Sequence, residues 1–265
     1  MKKTKLVSKI GWHWLVGITL GMSFIAKPVA SADVIDPNAD EVLQFMSAYL
    51  AETEAFSVNA DIDFEVVATD GQKLQLSSFA TAIVQRPDKF RIQRQGVVAD
   101  AEFIFDGETL TLYGNRNNVY TQLEVPGTVD DAIRAFELET GIPVPGADLL
   151  FTDPYPILST GVSSSTYVGT AYVNGIECHH LAFREDEVDW QLWVQTGDTP
   201  LPMKYVVTSK WVTAAPQYEI RLRDWNTNPL INEEQFAFSA PEGATPLEVL
   251  PANVLEEFTS TGEAQ

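Results

Sequence analysis

The sequence contains a single cysteine, Cys178, so the chain cannot form an intramolecular disulfide. We expect this thiol to be free and buried as a small apolar side chain. Basic residues are few, because 17 Lys and Arg stand against 37 Asp and Glu, giving a formal net charge of -20. Such an acidic protein repels nucleic acid and anionic lipid head groups, so we expect neither a nucleic-acid partner nor a position on an anionic membrane.

Motifs that commonly carry chemistry are also missing. The sequence has no His-Glu-x-x-His, Gly-x-Ser-x-Gly, Cys-x-x-Cys or Walker pattern, and three histidines in the whole chain leave few candidate metal ligands. We therefore expect a protein that is not an enzyme, with no catalytic residue, no metal site and no cofactor. A hydrolase without a familiar motif is the enzymatic alternative.

The segment Cys178-His179-His180 is the one cluster that could hold a metal. On a strand, Cys178 and His180 lie on one face and His179 on the other. A zinc site normally has three or four protein ligands, so a further ligand such as Asp189 would have to come from another strand. We favour a hydrogen-bonded structural pair, with a metal site and a contact to a ligand head group as alternatives.

One long apolar run is present, and it lies at the N-terminus. It extends from Trp14 to Ala26, follows a cluster of lysines and precedes the motif Ala30-Ser31-Ala32. This order is typical of a secretory signal peptide, so we predict that residues 1–32 are removed by cleavage after Ala32 and that the protein is periplasmic. An uncleaved N-terminal anchor is the alternative. Removal of the segment takes away five lysines and no acid, which makes the mature chain more acidic still.

Alternating apolar and polar residues predict a series of short strands along most of the chain. Asp70-Gly71, Asp106-Gly107 and Asn174-Gly175 are typical β-hairpin turns, and such short connections indicate an antiparallel meander. The predicted strands cover residues 61–68, 73–85, 89–94, 102–105, 109–113, 119–125, 166–173, 176–184, 188–195, 203–212, 217–225 and 235–239.

A helix is predicted before the first strand. Asp36 is a good N-cap residue and Pro37 is favoured at the first helical position. The helical spacing of apolar residues then gives one stripe, formed by Val42, Leu43, Met46, Tyr49 and Leu50. We expect this stripe to pack against the rest of the domain.

A helical insert interrupts the strands between residues 127 and 160. Thr128 is expected to cap a short helix that ends at Gly141, and a second helical turn is expected over residues 147–151. We expect Asp153-Pro-Tyr-Pro156 to break this helical structure again. The C-terminal segment 251–265 is acidic, and we predict that it is disordered.

Two groups of motifs resemble known periplasmic families. The segment from Phe56 through Gln85-Arg-Pro-Asp-Lys-Phe90 to Asp106-Gly-Glu-Thr-Leu-Thr-Leu-Tyr113 resembles the periplasmic lipoprotein carrier of the Lol system, and Phe236–Gly243 resembles its last strand and closing turn. Gly175–Arg184 and Asp189–Trp193 resemble a family of periplasmic proteins of unknown function, number 2092. Together these segments extend over most of the chain after residue 32.

The carrier resemblance implies a mainly β fold with an α-helical insert. It implies a strongly curved antiparallel sheet, or incomplete β-barrel, with an N-terminal helix and a helical lid. The strand pattern predicts about eleven strands in this sheet. Residues 33–250 would form this single domain, and residues 127–160 would form the lid. In the carrier group, the Arg before the Pro of the Arg-Pro turn holds the lid closed, and Arg86 stands at that position.

Several aromatic and aliphatic side chains are candidates for contact with an acyl chain. Phe90 and Ile92 share one strand face, as do Phe103 and Phe105. In a closed sandwich they would be core, whereas in a curled sheet they would line a cavity. The expected cavity residues are Phe64, Phe90, Ile92, Phe103, Phe105, Ile133 and Phe136.

We therefore expect a non-catalytic periplasmic carrier or binding protein. Its expected partners are a lipid or an acylated protein, with an envelope membrane protein as a further candidate. The alternative is an envelope interaction or sensor module on the same fold, with little or no ligand cavity.

Overall fold

The structure is a computed structural model that describes residues 34–98, 100–141 and 144–248. The predicted signal peptide, residues 1–32, and the predicted tail, residues 251–265, lie outside these ranges. Within the described ranges, no helix has both the length and the apolar character that crossing a bilayer requires.

Twelve strands form one sheet, in the order β12-β6-β5-β4-β3-β2-β1-β11-β10-β9-β8-β7. Eleven of them are joined as antiparallel neighbours, and the two-residue strand β12 runs parallel to β6. The strands are β1 (Ala55–Val67), β2 (Lys73–Gln85), β3 (Lys89–Gly96), β4 (Asp100–Phe105), β5 (Thr109–Gly114), β6 (Val119–Glu124), β7 (Ser164–Val173), β8 (Ile176–Arg184), β9 (Val188–Gln195), β10 (Pro202–Ser209), β11 (Gln217–Asn226) and β12 (Thr245–Pro246).

The sheet is curved and unclosed, because β7 and β12 stand at its two ends without pairing to each other. Strands β1 and β2 form its centre and pair over their whole length, from Ala55 opposite Gln85 to Val67 opposite Lys73. One face carries the buried side chains, as in β1, where buried and partly buried residues alternate from Phe56 to Phe64. The predicted fold class is confirmed, and the short strand β12, which makes the one parallel pair of the described sheet, was not predicted.

Helix α1 (Pro37–Glu52) lies before the sheet and packs against β7, β8 and a later short helix. Its N-terminus is fixed by the Asp36 carboxylate, which accepts hydrogen bonds from the backbone N–H groups of Asn38 and Tyr167, both at 2.9 Å. The second bond joins the helix start to β7. The predicted apolar stripe is the packed face, since Leu43, Met46 and Leu50 are buried.

The described residues of the insert between β6 and β7 form three helical pieces. They are α2 (Val129–Thr140), a 3-10 helix (Ala147–Leu150) and α3 (Pro154–Ser159). The first two were predicted. The prediction that Asp153-Pro-Tyr-Pro156 ends the helical structure is wrong, because Asp153 caps α3 by accepting a hydrogen bond from the N–H of Tyr155 at 3.2 Å. Pro154 occupies the first turn, where its missing N–H has no cost.

The predicted strand over residues 235–239 is also wrong. Glu233–Phe236 forms a 3-10 helix, and residues 237–240 belong to no strand among the described residues. The Gln235 side chain accepts a hydrogen bond from the N–H of Asn232 at 2.8 Å, and the Asn232 side chain accepts one from the N–H of Glu234 at 3.1 Å. These local bonds satisfy the backbone without a strand partner. Phe236 is nevertheless buried.

Candidate functional site

The floor of the candidate site is the buried face of the central strands, and its side chains are small. Ala60 on β1 lies directly opposite Ala80 on β2, and Val58 lies opposite Ala82. Larger side chains would fill the concave face, so this run of short ones leaves space above the sheet. Strands β3 and β11 continue the floor on either side.

The roof is formed by α2 and the 3-10 helix. Thr128 caps α2 in a capping box with Asp131, and Gly141 ends it at a φ of 70°. These caps orient the apolar side of α2, with Ala132, Ile133 and Phe136, toward the sheet. Ala147, Leu149 and Leu150 of the 3-10 helix complete the roof.

Floor and roof border an apolar cavity of about 160 Å³ that is partly open to the surface. Its described lining is aliphatic and aromatic, with one charged side chain, Arg94. An engineered apolar cavity of about 150 Å³ accepts benzene, whereas pockets for drug-sized ligands span roughly 300–1,000 Å³. In this closed arrangement the cavity therefore has room for part of an acyl chain, and a longer ligand requires the roof to move.

The structure brings most of the predicted contact residues to this cavity. Phe103 lies opposite Ile92 in the β3–β4 pair, and its ring contacts that of Phe136 edge-on at 5.7 Å. Five of the predicted residues line the cavity, namely Phe90, Ile92, Phe103, Ile133 and Phe136.

Two predicted residues lie elsewhere. Phe64 lines a second cavity rather than the apolar one. Phe105 is in the lining of neither cavity, because its ring is completely buried in the core with its centroid 5.7 Å from that of Phe90. It is therefore a packing residue behind the cavity wall.

Two hydrogen bonds attach the roof to the turn between β2 and β3. Nη1 of Arg86 donates a hydrogen bond of 2.8 Å to the carbonyl oxygen of Leu150. The N–H of Val129 donates to the carbonyl oxygen of Pro87 at 2.9 Å. The predicted role of Arg86 as a lid latch stays a prediction.

A further pair of hydrogen bonds joins the two ends of the roof to each other. Oδ1 of Asp130, in the first turn of α2, accepts hydrogen bonds from N–H and Oγ1 of Thr152, at 2.7 and 3.0 Å. Thr152 follows the 3-10 helix, so this contact makes α2 and the 3-10 helix one connected unit.

The Arg86 guanidinium is largely removed from water. Burial lowers its pKa, and the nearby charge of Asp130 partly offsets this effect. Its Cζ atom lies 5.7 Å from the centroid of the Phe56 ring. Within the described part of the chain, its buried Nε and Nη2 atoms have no hydrogen-bond partner. The closed arrangement thus uses only part of the donor capacity of this side chain.

A second cavity of about 330 Å³ adjoins the first, since Val144, Pro145 and Tyr218 line both. Its lining is more polar and contains the acids Glu65, Glu137, Asp148 and Glu185. Burial, reinforced by the charges of Glu137 and Glu185, raises the pKa of Asp148 to about 6. The Tyr205 hydroxyl lies beside this carboxyl group. The 3-10 helix therefore separates an apolar space from an acidic one.

The cluster Cys178-His179-His180 makes only local contacts. Nδ1 of His179 lies 2.8 Å from the Tyr167 hydroxyl, and Nε2 of His180 lies 2.9 Å from Oε1 of Gln191. The His180 ring also stacks on Trp193, with centroids 4.1 Å apart. Among the described residues, no group of three or more His, Cys, Asp or Glu side chains could hold a metal ion. These contacts fit the structural interpretation of the cluster.

Sequence reasoning missed the residues that create the space. Ala60, Ala80 and Ala82 face the cavity because they alternate with outward-facing residues, and a search for small side chains at every second position of β1 and β2 would have found them. Arg94 was also missed. It occupies the same strand face as Phe90 and Ile92, so the alternation that identified those two residues points to it as well.

Comparison with known proteins gives one family and several similar structures. A family model described as "Predicted periplasmic protein (DUF2092)" matches residues 39–250. No curated protein matches the chain. An uncharacterized conserved protein from Thermus thermophilus is similar at 10% identity and a TM-score of 0.48, over 79% of this chain and 98% of that one.

Two further structures are similar at lower scores. The lipoprotein LppX from Mycobacterium tuberculosis has 11% identity and a TM-score of 0.41, over 74% of this chain and 100% of that chain. A LolA superfamily protein from Nitrosomonas europaea has 9% identity and a TM-score of 0.36, over 76% of this chain and 97% of that one. The family expected from Gly175–Arg184 and Asp189–Trp193 is confirmed, and the chain belongs to the DUF2092 family of predicted periplasmic proteins.

Proposed function

We propose that this protein is a non-catalytic periplasmic carrier or binding protein for a lipid or a lipid-modified partner. Residues 1–32 are the signal peptide, cleaved after Ala32, and residues 33–250 are the binding domain. The observation that carries the proposal is the apolar cavity of about 160 Å³ between the concave sheet and the helical roof. An acyl chain gains about 0.8 kcal/mol for each CH₂ group removed from water, so such a lining is sufficient for binding.

The roof serves as the lid of this cavity. It is attached to the sheet through a few polar contacts, of which the bond from Arg86 to Leu150 is one. Its other contacts are apolar, so the same face of α2 can cover either the empty floor or an acyl chain. Opening of the lid provides the additional volume that a full acyl chain requires.

The cavity chemistry favours binding over catalysis. Apart from Arg94 and the hydroxyl and indole groups of Tyr218 and Trp225, the described lining residues are apolar side chains and a glycine. General acid–base or nucleophilic catalysis needs a titratable or nucleophilic group beside an orienting partner. A carrier needs only an apolar cavity of suitable size and a lid that closes it.

The test has two parts. Native mass spectrometry of the protein purified from a periplasmic extract should show a co-purified lipid. The variant Ala80→Leu should then lower lipid occupancy, because it fills the cavity floor. Thr81→Val is the matched control, since this neighbour points to the opposite face of β2. Lipid-free protein, or equal occupancy in both variants, would exclude the apolar cavity as the binding site.

The second candidate is an interaction or sensor module on the same fold. The observation in its favour is the small volume of the closed cavity, which is below the usual range for ligand pockets. This candidate predicts that Ala80→Leu raises thermal stability by filling the space and leaves partner binding unchanged, whereas the carrier proposal predicts loss of cargo.

A further inference from the structure

Arg94 is the only charged side chain in the described lining of the apolar cavity. It lies on the concave face of β3, directly opposite Ala80 of β2 and Ala101 of β4. Both neighbours are short, so neither covers the guanidinium from the side. The positively charged guanidinium of Arg94 therefore lies among alanine, aliphatic and aromatic side chains.

Arg94 is held in one orientation by contacts that leave its terminal nitrogens free. Nε donates a hydrogen bond of 3.0 Å to Oγ of Ser78. Cζ lies 5.7 Å from the centroid of the Phe64 ring and 6.0 Å from that of Tyr218. Among the described residues, neither Nη1 nor Nη2 has a hydrogen-bond partner, and no carboxylate forms an ion pair with this side chain.

Several other arginines have the ion pair that Arg94 lacks. The sequence has 37 acidic residues for 17 basic ones, and four of the eight described arginines form ion pairs. Arg91, on the outer face of the same strand, binds Glu102, and Arg221 on β11 binds Asp63 at 2.9 Å. Arg94 is half-buried, and an anionic ligand would supply the partner that its terminal nitrogens lack.

We propose that Arg94 is the head-group site of the apolar cavity and binds an acyl ligand whose head is an anion, either a carboxylate or a phosphate monoester. The two free Nη atoms match the two oxygens of such a group, and bidentate pairs of this kind are among the stronger hydrogen bonds in proteins. The acyl tail lies along Ile92 and Phe103. The inference rests on the proposed function, because it names the ligand class of the same cavity.

The second cavity limits where the head can lie. Its lining contains Glu137, Asp148 and Glu185, and these acids repel an anion. Tyr218 lines both cavities, so an anionic head is retained on the Arg94 side of this ring. The acidic surface of the protein repels anionic bilayers. Inside the cavity, Arg94 provides a local positive charge that can bind the head of a single extracted lipid.

The experiment compares two probes that share one acyl chain, the first with an anionic head and the second with a neutral head. Fluorescence titration with cis-parinaric acid, ionised at the working pH, and with its methyl ester measures both affinities in wild type, Arg94→Gln and Arg91→Gln. A charge-assisted hydrogen bond to the head should give the acid an affinity roughly tenfold to a hundredfold higher than that of the ester. We expect this preference in wild type and Arg91→Gln, and its loss in Arg94→Gln with ester affinity unchanged.

The outcomes separate this inference from the proposed function. Equal binding of acid and ester by wild type, or a preserved preference in Arg94→Gln, overturns the head-group site while leaving an acyl carrier in place. Binding of neither probe overturns both. Competition of the bound probe with a lysophosphatidic acid and with the free fatty acid of the same chain distinguishes the two anions, because the stronger competitor identifies a phosphate or a carboxylate site. Melting temperatures of the two variants confirm that both are folded.

Discussion

Nη1 of Arg86 donates a hydrogen bond of 2.8 Å to the main-chain carbonyl oxygen of Leu150. The two residues are 64 positions apart in the sequence, and they join the β2–β3 turn to the C-terminal end of the 3-10 helix. This bond is therefore positioned to hold the proposed lid against the sheet. Its donor is charged and largely buried, which makes its loss more costly than that of a surface contact.

We predict that Arg86→Leu opens the lid without unfolding the sheet. A hydrogen bond from a charged donor contributes about 1.5–3 kcal/mol, so its loss should shift the closed-to-open equilibrium about tenfold or more. An apolar fluorescent probe should bind the variant more strongly. Arg86→Lys should be intermediate, since an ammonium group keeps the charge but not the fork geometry. If Arg86→Leu binds the probe and melts like wild type, the latch role must be abandoned.

Gly146 gives a second means of opening the lid. It has a φ of 90°, and a β-carbon at this position would overlap Cδ1 of Ile220 on β11. We predict that Gly146→Ala weakens closure, because it adds a steric contact between the roof and the floor to a backbone strain of about 1–2 kcal/mol. Probe binding should rise and the melting temperature should fall.

Gly141→Ala is the matched control for this variant. Gly141 also has a positive φ, of 70°, but an added β-carbon there would meet no atom of the described residues within 4 Å. It should lose stability from backbone strain without any gain in probe binding. Equal probe binding by the two variants would show that the Ile220 contact has no part in closure.

The sequence was sufficient for those parts of the fold that depend on local chemistry. Asp36, Thr128 and Gly141 marked helix ends because caps are local, and Asn174-Gly175 marked a hairpin for the same reason. The segment 235–239 was misassigned because an alternating pattern does not reveal whether a partner strand lies beside it.

The cavity was harder to predict than the sheet. Phe90, Ile92 and Phe103 were identified as inward-facing by alternation alone. Whether inward-facing rings fill a space or border one depends on the size of the residues opposite, here Ala80 and Ala82, and on the roof above them. That is a property of the assembled tertiary structure. Phe105 illustrates the limit, because it follows the same alternation and is nevertheless completely covered.

Cys178 should be a slow-reacting thiol. The residue is completely buried, and burial raises its pKa, so little thiolate is available at neutral pH. We expect labelling by a maleimide to be far slower in the folded protein than in denaturant. A Leu138→Cys variant supplies the internal control, because Leu138 is 88% exposed. Labelling of Cys178 as fast as that of the introduced cysteine would contradict its burial.

The mature protein should begin at Asp33. Ala30-Ser31-Ala32 satisfies the rule of small residues before a signal-peptidase site, and the apolar run before it is short for a membrane span. N-terminal sequencing of the protein from a periplasmic fraction measures this directly. Recovery of a chain that retains Met1 in the membrane fraction would instead favour the uncleaved anchor. Changing Ala32 to a bulky residue should block processing.

The acidic side of the lid should make stability depend on pH. Asp148 has a pKa of about 6 in the folded protein, against 3.8 for an unperturbed carboxyl group. The folded state therefore binds more protons than the unfolded state between these values. The stabilising contribution of protonated Asp148 is fully present below pH 3.8 and is lost as the pH rises through about 6. At higher pH the ionised group faces the like charges of Glu137 and Glu185.

We predict that wild-type protein loses about 1 kcal/mol of unfolding free energy between roughly pH 5 and 7.5 through this group, allowing for the part of Asp148 that remains exposed. Asp148→Asn should remove that part of the pH dependence, because an amide does not titrate and keeps an acceptor oxygen beside Tyr205. Asp186→Asn, at an exposed acid beside Glu185, should keep the wild-type profile. Denaturant unfolding at both pH values measures the differences. Identical pH profiles for wild type and Asp148→Asn would mean that the carboxyl group of Asp148 is hydrated in solution and that the 3-10 helix does not bury it against Tyr205.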